Sequence, residues 1–214
     1  MTTMMRQKSK CAVCKAVSEH SVITSTNTFG GGPDLDLRPA EMRRSTMGVW
    51  VQVCPECGYV SANISDKHQV TKKWLQSEKY LTCDGIDFAS DLAKAFYRYY
   101  MINLEEKNTE DAFFAILHCA WACDDKTDIE NAKHCRKLAI PLADKLIATD
   151  FINRNNIMLL KSDLMRRAGQ FDELIEQYAS VSFDDDFLDK ILAFQIEKAK
   201  EKDAGCYRVE DAAR

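Results

Sequence analysis

Four cysteines in two short pairs constrain this chain more than any other feature of its sequence. Cys11 and Cys14 stand in "CAVC", Cys54 and Cys57 stand in "CPEC", and thirty-nine residues separate the pairs. A Cys-x-x-Cys knuckle turns the chain tightly enough for both thiolates to reach one ion, and two knuckles complete a tetrahedral shell of four sulfurs. Gly58 directly follows the second pair and suits the positive-φ position that such a turn needs. A thioredoxin-type dithiol would instead be a single pair opening a helix after a strand. Here the second pair lies in "VWVQVCPECGYVSA", where Val49, Val51 and Val53 alternate with Trp50 and Gln52, so the segment reads as strand, knuckle, strand. A second strand, "HSVITSTN", follows the first pair. The arrangement is a zinc ribbon with one Zn2+ on Cys11, Cys14, Cys54 and Cys57. Protein fills every position of the shell, which makes the metal structural.

The other cysteines fit a reduced compartment. Nine is an odd number for a disulfide framework, and the start, "MTTMMRQKSK", is polar with no apolar run behind it. The most apolar segment, Ala112 to Cys123, is too short to span a bilayer. The expectation is a cytoplasmic protein with no membrane attachment. The first sixty residues carry seven Lys/Arg against five Asp/Glu, so the net charge of −4 leaves −6 for the remainder. The overall charge argues against wholesale attraction to nucleic acid or membrane, but it is uneven, with a mildly basic head before an acidic body.

The segment between the knuckles contains "FGGGPDLDLRPAEMRRSTM". Glycines and prolines exclude a strand from Phe29 to Pro39, so this piece leaves the ribbon as a loop. It lacks the GK[ST] ending of a phosphate-binding loop, and two carboxylates are too few for a calcium loop. It reads either as a solvated surface loop or as a recognition loop fixed at its base by zinc, with Asp34, Asp36 and Arg38 as its contacts to a partner. In the second reading it folds back near Trp50 and Trp74 and forms the lip of a site shared by head and body.

An N-terminal Cys-x-x-Cys, "PDLDLRP", "WVQVCPECGY" and a helical remainder together resemble a family of uncharacterised bacterial proteins with a zinc-ribbon-like head. The likeness is specific over about residues 10 to 65 and looser beyond. It implies Cys11, Cys14, Cys54 and Cys57 as metal ligands and no particular activity. Ala12 and Lys15 stand where the first knuckle of such a ribbon more often has Pro and Gly.

From about Ser65 the strand signals stop, which makes the fold mainly α with a small β ribbon: residues 1–64 form the head and residues 65–214 a helical body. "SDKHQVTKKWLQSEKY" reads as a short linking helix, and Phe88, Leu92, Ala95, Tyr99 and Ile102 form an apolar stripe on the next. "TEDAFFAILHCAWACDD" follows, and then a helix that Pro141 should kink or divide. Further helices are expected over 155–168, 170–180 and 184–203, with a short one near the end. Gly169 and Phe171, and thirty-six residues on Gly205 and Tyr207, repeat a Gly-x-aromatic turn like that of tetratricopeptide repeats. The alternative is a generic antiparallel bundle.

His118, Cys119, Cys123, His134 and Cys135 fall on two consecutive helices and form the candidate catalytic or second metal cluster, although small cysteines filling helix contacts are commoner. His20 and His68 have no evident partner, and Cys83 and Cys206 read as incidental thiols. Arg43, Arg44, Arg166 and Arg167 are the basic spots, with solvated surface arginines as the default reading. The leading expectation is a zinc-organised adaptor that docks a protein or peptide. A nucleic-acid-binding ribbon, not favoured, and an enzyme using the His/Cys cluster are the alternatives.

Overall fold

The computed structural model describes residues 2–149 and 154–213. Its N-terminal part is two antiparallel hairpins, each carrying a knuckle at its tip. β1 (Thr3–Lys10) pairs with β2 (Val17–Ser25) in a register running from Thr3↔Ser25 to Lys10↔Val17, and residues 11–16 form the turn. β3 (Gln52–Val53) pairs with β4 (Val60–Ser61) around residues 54–59. β1 is absent from the sequence expectations because its side chains are almost all exposed, which leaves no apolar alternation to detect. Between the hairpins lie a one-turn helix, α1 (Glu41–Arg44), and a 3₁₀ turn at Met47–Val49 that takes the place of the expected start of β3.

The expected linking helix is two single turns, α2 (Lys72–Leu75) and α3 (Glu78–Leu81), capped by the Thr71 and Ser77 hydroxyls, which accept from Trp74 N and Tyr80 N. The longer helices are α4 (Asp91–Glu105), α5 (Thr109–Asp124), α6 (Ile129–Ala148), α7 (Arg154–Arg167), α8 (Phe171–Tyr178) and α9 (Asp186–Lys200), with a final turn, α10 (Val209–Ala212). Ser90, Asn108 and Asp185 cap α4, α5 and α9 with side-chain oxygens. Each of α4 to α7 packs on its neighbour in sequence, and α7, α8 and α9 close a second group, which gives the stacked antiparallel hairpins of a helical-repeat body.

Three details differ from expectation. Pro141 lies inside α6 without ending it. Both Pro141 and Lys137, whose carbonyl the proline leaves unpaired, are on the exposed stripe, where water can take that acceptor. Gly169 turns α7 into α8 with φ +81°, but Gly205 does not adopt a positive φ, and the chain after it returns to the head instead of starting a long helix. The stripe on α4 is centred on Ala93, Phe96, Tyr100 and Ile102 instead of Leu92 and Tyr99.

The core does not break at residue 64. One apolar cluster joins Cys11, Met47, Val51, Tyr59 and Ile64 to α4, α5, α6 and the first part of α7, while a second gathers α7 to α10 around Leu174, Tyr178 and Leu192 and includes Leu35 of the loop. Glu106, just after α4, fastens the head: it accepts from His68 Nδ1 at 2.8 Å, from Gln69 N at 2.6 Å and from Val70 N at 3.3 Å. Tyr80 adds a bond from its hydroxyl to Gly58 O at 2.8 Å.

Candidate metal centre and the loop beside it

The two knuckles are built alike. Cys11 N donates to Ala16 O and Cys54 N to Tyr59 O, each at 2.8 Å, while Lys15 N and Gly58 N donate back to Cys11 O and Cys54 O, each at 3.0 Å. The residue after each second cysteine is left-handed, Lys15 at φ +69° and Gly58 at +71°. Lys15 therefore does at the first knuckle what glycine does at the second, in a region that L-residues enter at a cost. Its Nζ donates to Ala12 O at 2.6 Å and closes the turn.

This geometry brings all four sulfurs within 4.8 Å of one another, with Cys11 Sγ to Cys57 Sγ at 3.7 Å and Cys14 Sγ to Cys54 Sγ at 3.6 Å. A tetrahedral ion with metal–sulfur bonds of roughly 2.3 Å puts its ligands roughly 3.8 Å apart, so the donor set fits a four-thiolate metal ion. Cys11 and Cys54 are buried, and Cys14 and Cys57 are half-buried. Burial raises the Cys54 and Cys57 thiols, and the neighbouring thiols raise them further. Four sulfurs crowded together without a cation resist ionising together.

The loop between the hairpins is ordered by charge. Asp36 is fully buried and accepts from Trp121 Nε1 at 2.8 Å, from Arg167 Nη1 at 2.7 Å and from Arg38 N at 3.2 Å. Arg167 reaches on to Asp124 at 2.7 Å, and Arg136 grips Asp124 with two bonds of 3.1 and 2.5 Å. Arg38 pairs with Asp125, and Arg44 with Asp34. Burial alone would disfavour the Arg167 charge, but Asp36, Asp163 and Asp124 around it hold its pKa up. For Asp124, Arg136 and Arg167 outweigh the effect of burial and hold the carboxyl below its usual range. The C-terminal strand-like stretch completes the clamp, with Leu35 N donating to Tyr207 O at 2.8 Å and Val209 N to Pro33 O at 3.0 Å.

Asp34, Asp36 and Arg38 are thus turned inward, each at most 5 % exposed, instead of facing a partner. The segment does adjoin Trp50, through Leu37 and Pro39, but it meets α5, α7 and the C-terminus and not Trp74, which packs against Tyr80. Arg166 and Arg167 are buried, not solvated: Arg166 bonds Asp163 Oδ1 at 2.7 Å and Gln195 Oε1 at 2.5 Å. Arg166 has its acid three residues away on the same helix, whereas the acids that hold Arg167, Asp36 and Asp124, come from distant segments that local sequence does not reveal. His68 and His20 have partners after all, in Glu106 and in Ser18 Oγ at 2.8 Å.

Of the five-residue His/Cys cluster only the thiols meet. Cys119, Cys123 and Cys135 lie within 4.8 Å of one another in the interior, close enough to share a metal ion. Cys135 Sγ donates to Cys119 Sγ at 3.4 Å, and the neighbouring Cys119 and Cys135 side chains hold the Cys123 thiol down to about 5. Cys119 Sγ also donates to Ala93 O at 3.1 Å, as a thiol filling a helix contact does. His134 is exposed, and His118 turns to the opposite side of α5, among Trp50, Phe96 and Trp121. Cys83 is buried and donates to Tyr80 O, whereas Cys206 is exposed.

Among the described residues, no helix is long and apolar enough to cross a membrane. No curated protein and no solved structure matches the chain significantly. The paired knuckles, the loop and the helical body together correspond, over residues 4–203, to a family described as an uncharacterized protein conserved in bacteria (DUF2225), and the chain belongs to that family.

Proposed function

We propose that the protein is a zinc-organised adaptor in which one structural Zn2+ on Cys11, Cys14, Cys54 and Cys57 fixes the head and the stacked helices dock a protein or peptide. The observation that carries this reading is the four-sulfur centre at the tips of two matched hairpins. Sulfur ligands in a tetrahedral set select zinc or iron, and zinc is the ion of structural sites with no open position. Such a centre performs no chemistry of its own, so its contribution is to hold residues 47–64 against α4 and α5. Ile129 at 59 % and Phe187 at 47 % exposure, at the starts of α6 and α9, are apolar positions that a docked partner would cover. The cytoplasm is the compartment that keeps such thiols reduced.

Metal analysis of the reduced full chain, purified without chelator, tests the first half. One zinc per chain is expected, and none in Cys54→Ser; a metal-free wild type rejects the zinc reading. The adaptor half is tested by cross-linking in cell extract with wild type, Phe187→Asp and Cys54→Ser. A partner captured equally by all three would not be held by this architecture.

A further inference from the structure

On the face of α5 away from the thiols, a hollow of about 700 Å³ opens between β2, the Leu37–Arg43 segment and α5. That is the size of an ordinary small-molecule site. Its walls are Trp50, Phe114, Leu117 and Trp121, with Leu37 and Pro39 at the rim. Both indole N–H groups are already spent, Trp50 Nε1 on Thr46 Oγ1 and Trp121 Nε1 on Asp36, each at 2.8 Å, so the indoles present apolar rings to the space.

Two polar groups remain without side-chain partners among the described residues. Arg43 is exposed at the edge and makes no ion pair among them, and none of their carboxylates lines the hollow. His118 lines it too, its ring edge-on to Trp50 at 5.2 Å and tilted against Trp121 at 4.8 Å, and neither ring nitrogen has a hydrogen-bond partner among the described residues. Burial holds the imidazole down to about 4, so at neutral pH it offers one donor and one acceptor. Leu37 is kept at φ +65° with its side chain 48 % exposed, a left-handed backbone that places a large apolar group in solvent unless something covers it. The Asp36 clamp next to it holds that conformation in place.

We propose that this hollow is a binding site for a small, flat aromatic carboxylate, whose ring lies in the hollow against the Trp50, His118 and Trp121 wall and under Leu37. Its carboxylate pairs with Arg43 and takes a hydrogen bond from His118. One cation without a counter-charge, beside aromatic walls, selects a single anion on an apolar frame. The site is independent of the adaptor reading.

Calorimetric titration of the metal-loaded full chain with 2-naphthoate and with the neutral 2-naphthamide tests it. Saturable binding of the acid, at least tenfold tighter than the amide, is expected. Arg43→Ala should weaken the acid at least tenfold and leave the amide unchanged; Arg43 is exposed, so this variant keeps the fold. His118→Phe, which preserves the apolar wall, should weaken the acid several-fold. Absence of saturable binding by the acid, or equal affinity for both compounds with Arg43→Ala unaltered, overturns the proposal.

Discussion

Lys15 carries the first knuckle in a conformation that costs an L-residue roughly 1–2 kcal/mol, while glycine gives back roughly 0.5–1 kcal/mol through the flexibility of the unfolded chain. Lys15→Gly should therefore stabilise the metal-loaded protein by about 0.5–1 kcal/mol, a rise of a few degrees in melting temperature. A melting temperature below wild type would mean that the Lys15 Nζ bond to Ala12 O matters more than the backbone. His118 makes a second residue-scale case. Its folded pKa, lowered to about 4 by burial, lies below the ordinary value of 6.5, so the unfolded chain binds the proton more tightly. The stability this neutral ring confers is complete above pH 6.5 and is lost as the pH falls toward 4, by about 3 kcal/mol in all. Denaturation between pH 7 and 5 should show a shallower loss in His118→Phe than in wild type, and identical slopes would mean that the ring charges without penalty. Of these two residues the sequence disclosed only part. The departure from glycine at Lys15 is visible beside Gly58, but the isolation of His118 from Cys119 depends on which face of α5 meets Trp50.

At the scale of elements, the loop with three glycines is held not by its own composition but by α5, α6 and α7. Helices were legible because apolar spacing and caps such as Ser90 and Asp185 are local signals. The ion-pair lattice was not, because Asp36 and Arg167 lie 131 residues apart and each alone reads as a surface charge. Removing one partner of a buried pair costs about 3–5 kcal/mol, since the other charge is left without compensation. Asp36→Asn keeps the shape and can still accept from Trp121, but it leaves Arg167 short of a counter-charge. Chemical denaturation should show a loss of that order, with the loop amides of residues 34–38 gaining exchange with solvent. A loss under about 1 kcal/mol would place the anchor of the loop in the backbone bonds from Leu35 N to Tyr207 O and from Val209 N to Pro33 O instead.

For the whole molecule, the question is how far the metal centre's influence extends. The sequence suggested a head separable from a body, because ribbon and helix patterns change at residue 64; the side chains of Met47, Tyr59 and Ile64 show the two sharing one core with α4 and α5. The division in packing lies later, between that core and the cluster of α7 to α10. If the four-sulfur centre holds zinc as proposed, the ion supplies on the order of 10–16 kcal/mol as in small modules, and stripping it should be felt through everything the first core includes. Treatment with a strong chelator is therefore expected to raise hydrogen exchange first in residues 11–16 and 52–61. It should then spread through α2 and α3, which reach the second knuckle by the Tyr80 bond to Gly58, and into the near ends of α4 and α5. Helices α8 and α9 should keep their protection, because they pack on α7, on α10 and on each other within the second cluster. Exchange rising uniformly over the chain would instead mean that both clusters unfold as one unit, and exchange confined to the knuckles would make the centre a local clasp.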